Sequence, residues 1–112
     1  MTALIMLALK DQHAPAILDD FLSEEVTDKS GTPVGTLSCY WESNSGQLFL
    51  GVEIKSQNVV RVVPGAIAHL DDRHSCIRIS RPLAAIESAP VYDCDKEMYP
   101  RLEVAANKHF NS

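Results

Sequence analysis

The densest group of side chains that could do chemistry is the run His69-Leu-Asp-Asp-Arg-His-Ser-Cys76. Imidazoles, carboxylates and thiolates are all ligands of transition metals. The candidate ligands are His69, Asp71, His74 and Cys76. Their spacing matches no standard zinc pattern, and a polar hairpin tip explains the same residues without an ion. We therefore predict no metal and no cofactor, and keep this segment as the alternative site for a metal or a small ligand.

Nucleophilic catalysis is the second chemistry that the residues suggest. Cys76 and His74 would point the same way only on an extended strand, and no glycine elbow or oxyanion motif accompanies them. Gly31 and Gly35 have a different spacing from the nucleotide-binding loops, and no lysine follows them. Cys39 falls on the inward side of an alternating strand, where a small core residue is expected. The sequence therefore predicts a protein that is not an enzyme.

A series of short strands must position these residues. From residue 26 to residue 88 the apolar positions alternate with a period of two, and turn residues such as Gly31 and Gly46 interrupt them. Pro64 ends a β-branched run, as expected for a buried strand. From residue 95 the period becomes helical, and Pro100 suits the first turn of a helix. We predict a mainly β fold, a small closed or partly open antiparallel β-barrel, with a short C-terminal helix.

The longest predicted hairpin allows its register to be inferred. Its two strands flank a four-residue loop at 43–46. This loop pairs Trp41 with Leu48 on the inward face. On the outward face it pairs Tyr40 with Phe49, which leaves an apolar patch. A second copy, another protein or the C-terminal helix must cover this patch, and we predict that it is the interaction surface.

Composition and charge narrow the classes of function. The 112 residues carry ten Lys and Arg against fifteen Asp and Glu, a net charge of −5. Such an acidic chain is a poor partner for nucleic acid or an anionic membrane. The longest apolar run, at residues 3–9, is too short to span a bilayer and lacks the basic start of a signal peptide. Three cysteines without a CxxC pair predict reduced thiols and a cytoplasmic location.

Several short motifs run through residues 22–90. They are Val26-Thr-Asp-Lys-Ser-Gly31-Thr-Pro-Val-Gly35, Ser45-Gly46-Gln-Leu-Phe-Leu-Gly-Val, Val62-Val63-Pro64 and Ala89-Pro90. This pattern resembles the PRC-barrel family. The resemblance implies a barrel of about six strands. It also implies a positive φ at Gly31 and a close approach between strands at Gly35. An N-terminal arm or strand at 1–21 and an extension with the helix at 91–112 would flank the barrel.

The resemblance implies an interaction or assembly role, because the family offers no catalytic residues to carry over. Its stand-alone members are prokaryotic. We therefore predict a non-catalytic protein-binding module with an unknown protein partner, homodimeric through Tyr40 and Phe49. One relative is part of the bacterial ribosome maturation factor, which raises an RNA-associated alternative. That role would use a basic strip containing Arg61 and Arg78, and the net charge of −5 disfavours it.

Overall fold

The computed structural model describes residues 6–8, 18–71 and 75–111. These residues form seven strands in one sheet. The strands are β1 (Met6–Ala8), β2 (Glu25–Thr27), β3 (Pro33–Glu42), β4 (Leu48–Ile54), β5 (Val59–Pro64), β6 (Ala68–Asp71) and β7 (Cys76–Ile79). The helices are α1 (Leu83–Glu87) and α2 (Pro100–Asn111), and the 3₁₀ turns are Asp19–Phe21 and Gly65–Ile67.

The sheet is mixed and open. Its order is β1-β6-β7-β2-β3-β4-β5, and β2 pairs with β7 in parallel while the other neighbours are antiparallel. The mainly β fold with a C-terminal helix is confirmed. A closed barrel is not confirmed, because no pairing among the described residues joins β5 back to β1, and the expectation of a purely antiparallel sheet is wrong for β2 and β7.

The chain after α1 occupies the outer edge of β5. The Val62 N–H donates to the Pro90 carbonyl at 2.8 Å, and the Tyr92 N–H donates to the Val60 carbonyl at 3.1 Å. Backbone groups that an open sheet would otherwise leave exposed are thus paired within the chain. At the opposite edge, β1 pairs with β6, so three residues of the predicted N-terminal arm form a strand on the sheet.

The turn between β2 and β3 is built around the Asp28 carboxylate. It accepts the Ser30 N–H at 2.8 Å and the Thr32 N–H at 2.9 Å, an Asx-type arrangement. The Thr32 N–H bond is the largest influence lowering the pKa of this carboxyl, and the Leu83 N–H at the start of α1 lowers it further. Gly31 follows with a φ of +86°, the positive value that the resemblance implies.

Gly35 allows β3 and β4 to approach closely. A Cβ at this position would lie 1.8 Å from the backbone oxygen of Glu53, far inside contact distance. The predicted close approach is confirmed. Gly46 differs, because its φ is +86° and a Cβ there would meet nothing within 4 Å.

The register predicted for the β3–β4 hairpin is correct at one end and wrong near the loop. Leu37 pairs with Val52 as expected, but nearer the loop Tyr40 pairs with Leu50 and Trp41 with Phe49. Glu42 pairs with Leu48, so the loop runs over 43–47 and contains one residue more than predicted. Two hydrogen bonds close it: the Ser43 N–H donates to the Gln47 carbonyl, and the Ser43 hydroxyl accepts the Gln47 N–H. A bulge between Leu37 and Cys39 compensates for the extra residue.

The bulge distributes the aromatic residues between the two faces of the sheet. Tyr40 packs at the edge of the main core on the inner face, and its hydroxyl donates to Asp19 at 2.6 Å. Phe49 is fully buried on the outer face. The predicted Tyr40–Phe49 pair therefore does not form, since the two rings lie on opposite faces.

One apolar cluster lies on each side of the sheet. The inner cluster contains the largest group of buried side chains, among them Leu18, Leu37, Leu50, Leu70, Ile77 and Ile86. The outer cluster joins Trp41, Phe49 and Val62 to Leu102 and Ala106 of α2. The C-terminal helix thus covers the outer face of β3 to β5. The sequence allowed this helix, a second copy or another protein as the cover.

Candidate functional site

The outer face of the sheet continues beyond α2 onto β6, β7, β2 and the start of β3. Leu70, Ile77 and Val26 point into the core, so their neighbours along the strands point outward. We call this surface the open face. Its side chains are His69, Asp71, Cys76, Arg78, Glu25 and Thr36.

The register places residues of the open face in a row across four strands. Asp71 lies opposite Cys76, Cys76 lies beside Glu25, and Glu25 lies opposite Thr36. Glu25 and Arg78 are exposed, whereas Asp71 and Cys76 are half-buried. Arg78 lies outside this row, opposite His69, so the open face as a whole presents charges of both signs on its strands.

A shallow cleft adjoins this row. It has a volume of about 240 Å³ and is lined by Glu25, Pro33, Val34, Gly35, Thr36 and Lys55. Gly35 contributes only backbone to the cleft, and the charged residues Glu25 and Lys55 line it as well. Such a cleft suits a protruding side chain of a partner better than an enclosed ligand, because sites for small molecules bury most of the ligand surface.

The candidate metal ligands are only partly brought together. Asp71 and Cys76 are directly opposite each other, and the His69 Nδ1 lies 3.3 Å from the Ser80 hydroxyl. His74 lies outside the described residues. Among the residues that the structure describes, no group of three or more His, Cys, Asp or Glu side chains could hold a metal ion.

Cys76 is a free thiol in an environment that disfavours the thiolate. Burial raises its pKa, and the carboxylates of Asp71 and Glu25 raise it further, against a smaller opposing effect of Arg78. A thiol with a raised pKa is a weak nucleophile and a weak metal ligand at neutral pH. This chemistry gives no support to the Cys76–His74 pair as a catalytic site.

A serine–histidine contact that the sequence does not reveal links α1 to α2. The His109 Nε2 lies 2.8 Å from the Ala85 carbonyl and 3.3 Å from the Ser88 hydroxyl. A carbonyl can only accept, so Nε2 carries the hydrogen and cannot take a proton from Ser88. The Ser88 hydroxyl donates to the Ala84 carbonyl at 2.8 Å. These contacts dock the helix and form no nucleophile.

The structure corrects the expectation of three reduced cysteines. Cys39 and Cys94 form a disulfide with a Cα–Cα distance of 5.8 Å. The bulge turns Cys39 to the outer face, so its predicted place in the inner core is also wrong. The two cysteines are 55 residues apart, and no short spacing motif in the sequence indicates that they pair.

The segment that carries Cys94 is held on the outer face by further contacts. The Trp41 Nε1 donates to the Lys96 carbonyl at 2.8 Å, and the rings of Trp41 and Tyr92 lie 5.7 Å apart. Side-chain amides of Gln47 and Asn107 bond each other in both directions. The Trp41 indole therefore holds the segment that leads to α2, through ring contact with Tyr92 and through its N–H bond to Lys96.

The two arginines of the postulated basic strip are far apart. Arg61 lies on β5 and Arg78 on β7, with three strands between them. The Arg61 guanidinium donates to the Ala89 carbonyl at 2.6 Å and to Gln57. Arg61 therefore holds the chain after α1 against β5 and adds no charge to the open face.

Among the described residues, no helix has the length and apolar character needed to cross a membrane. Comparisons with family models, with curated proteins and with solved structures find no match to this chain.

Proposed function

We propose that the chain is a non-catalytic protein-interaction or assembly module of the PRC-barrel type, and that the open face contacts its partner. The observation that carries this proposal is the set of outward side chains on β6, β7, β2 and β3. Exposed Glu25 lines the cleft, and exposed Arg78 lies on the neighbouring strand β7. Interfaces between independently folded proteins are about as polar as the rest of the surface. A mixed-charge sheet face is therefore a suitable contact area.

A second copy of the chain is the first partner that we propose. Glu25 and Arg78 are both exposed, on neighbouring strands. A two-fold axis through the open face would bring Glu25 of one copy to Arg78 of the other, and the reverse, because such an interface uses the same patch twice. This dimer replaces the one expected through Tyr40 and Phe49, since Phe49 is fully buried.

Charge reversal tests the dimer. We expect wild-type protein to have the mass of a dimer in light scattering and Glu25→Arg to be a monomer, because like charges would then meet across the axis. Combining Glu25→Arg with Arg78→Glu should restore the dimer. Arg101→Glu, at an exposed position of α2, is the matched control and should leave the mass unchanged.

Two results would contradict the proposal, one for the homodimer and one for the open face as the contact surface. A wild-type monomer at high protein concentration would refute the homodimer and leave a different protein as the partner. In that case wild type should capture a defined protein from the native cell extract that Glu25→Arg does not capture. Equal capture by both proteins would refute the open face as the contact surface.

A further inference from the structure

We propose that Cys39 and Cys94 are a modification site: in the protein's own compartment a disulfide-bearing oxidant joins them, while Cys76 remains a thiol. The inference is independent of the open face, because both sulfurs lie at the outer cluster. It also implies that the chain works in an oxidising compartment, in place of the reducing one that the sequence predicts.

The fold itself brings the two cysteines together. The bulge after Leu37 aims Cys39 outward from β3. Cys94 lies between two fixed points, since the Tyr92 N–H donates to Val60 and the Lys96 carbonyl accepts the Trp41 indole N–H. Their Cα atoms are 5.8 Å apart, within the range that a disulfide requires. Contacts other than the disulfide therefore position both residues.

The sheet beneath the sulfur is shaped to receive it. Gly51 pairs with Cys39 across β3 and β4. A Cβ at Gly51 would lie 2.5 Å from the Cys39 Sγ and 3.1 Å from the Trp41 ring. Any other residue would push the sulfur away, so the glycine is matched to the cysteine above it. The glycine thus leaves room for the sulfur in the position that it takes in the bond.

Cys76 is excluded from the reaction by position and by chemistry. It lies on β7, with β2 between it and β3, so it cannot reach either partner without disrupting the sheet. Its raised pKa lowers the thiolate fraction, and thiol–disulfide exchange proceeds through the thiolate. The fold thus selects one pairing among the three that three cysteines allow.

The oxidation step balances with an oxidised dithiol as the co-reactant. One protein thiolate attacks a sulfur of the oxidant's disulfide and forms a mixed disulfide. The second protein thiolate then attacks the protein sulfur and displaces the oxidant's thiolate. Two thiol protons leave and two electrons pass to the oxidant, which departs as a dithiol. The product is the Cys39–Cys94 bond.

Trapping of thiols in cells tests the proposal directly. Cells that make the protein natively are quenched in acid, and free thiols are alkylated under denaturing conditions before mass spectrometry. We expect one alkylated cysteine per chain, at Cys76, and three after treatment with a dithiol reductant. Alkylation of Cys39 and Cys94 before reduction would overturn the proposal, even if purified protein acquires the bond in air.

Stability measurements on purified protein give a second, independent test. The bond closes a loop of 55 residues. Reduction should therefore raise the unfolding equilibrium constant of wild type roughly a thousandfold by loss of loop closure. Cys76→Ala should respond to the reductant like wild type, and the double variant Cys39→Ala/Cys94→Ala should not respond. A wild-type urea midpoint that is insensitive to reductant would show that the bond is absent, and would overturn the proposal.

Discussion

Substitution of Gly35 by alanine is the sharpest test of how β3 and β4 meet. The new Cβ would lie 1.8 Å from the Glu53 oxygen, whereas ordinary van der Waals contact begins at 3.4 Å. The obstacle is backbone, which cannot rotate aside as the tip of a side chain can. The two strands must therefore separate near Gly35, and the hydrogen bonds near Glu53 must lengthen.

The expected loss follows from that separation. Overpacking of a fitted contact costs roughly 1–3 kcal/mol, and weakened backbone hydrogen bonds add about 1 kcal/mol. We expect Gly35→Ala to lower the free energy of unfolding by about 3 kcal/mol or more. Gly46→Ala is the matched control, because its Cβ would meet nothing within 4 Å and the φ of +86° alone opposes it. That strain costs about 1 kcal/mol.

Urea unfolding followed by far-ultraviolet circular dichroism measures the difference. With a slope of roughly 1–2 kcal/mol per molar urea, the midpoint of Gly35→Ala should lie about 1–2 M below that of Gly46→Ala. A Gly35→Ala protein that cannot fold would satisfy the same ranking, provided that Gly46→Ala folds. Equal midpoints, or the reverse order, would refute the close approach of β3 to the Glu53 carbonyl.

Three further predictions address the turn, the outer cluster and the indole anchor. The Asp28 pKa is lowered, so its contribution to stability is complete above its ordinary pKa and disappears as the pH falls through the lower folded value. Urea midpoints of wild type should therefore fall more steeply below about pH 4 than those of Asp28→Asn, and parallel curves would contradict this role. Phe49→Ala should lower the free energy of unfolding by about 3–5 kcal/mol, because it leaves a cavity under α2. The oligomeric mass of the folded protein should not change, and a changed mass in light scattering would contradict this placement of the ring. Trp41→Phe should lose about 1 kcal/mol with the indole bond to Lys96, and an unchanged thermal midpoint would show that this bond does not anchor the segment.

Features that depend on neighbouring residues could be predicted from the sequence. The Asp28–Gly31 turn, the end of β5 at Pro64 and the helix that starts at Pro100 all follow from local preferences. Alternating apolar residues likewise indicate strands, because a half-buried strand repeats every two residues. The mainly β class with a C-terminal helix therefore followed from short-range patterns.

Tertiary contacts decided the features that combine distant segments. The bulge near Ser38 could not be read from alternation, because either face of β3 offers apolar partners and the choice depends on what packs there. The covering of Phe49 by α2 and the joining of Cys39 to Cys94 require segments more than fifty residues apart to meet. The open face likewise exists only because α2 covers β3 to β5 and leaves the outward side chains of β7 and β2 exposed. A one-dimensional pattern specifies which residues prefer burial, while the packing of the whole chain determines which of them are buried together.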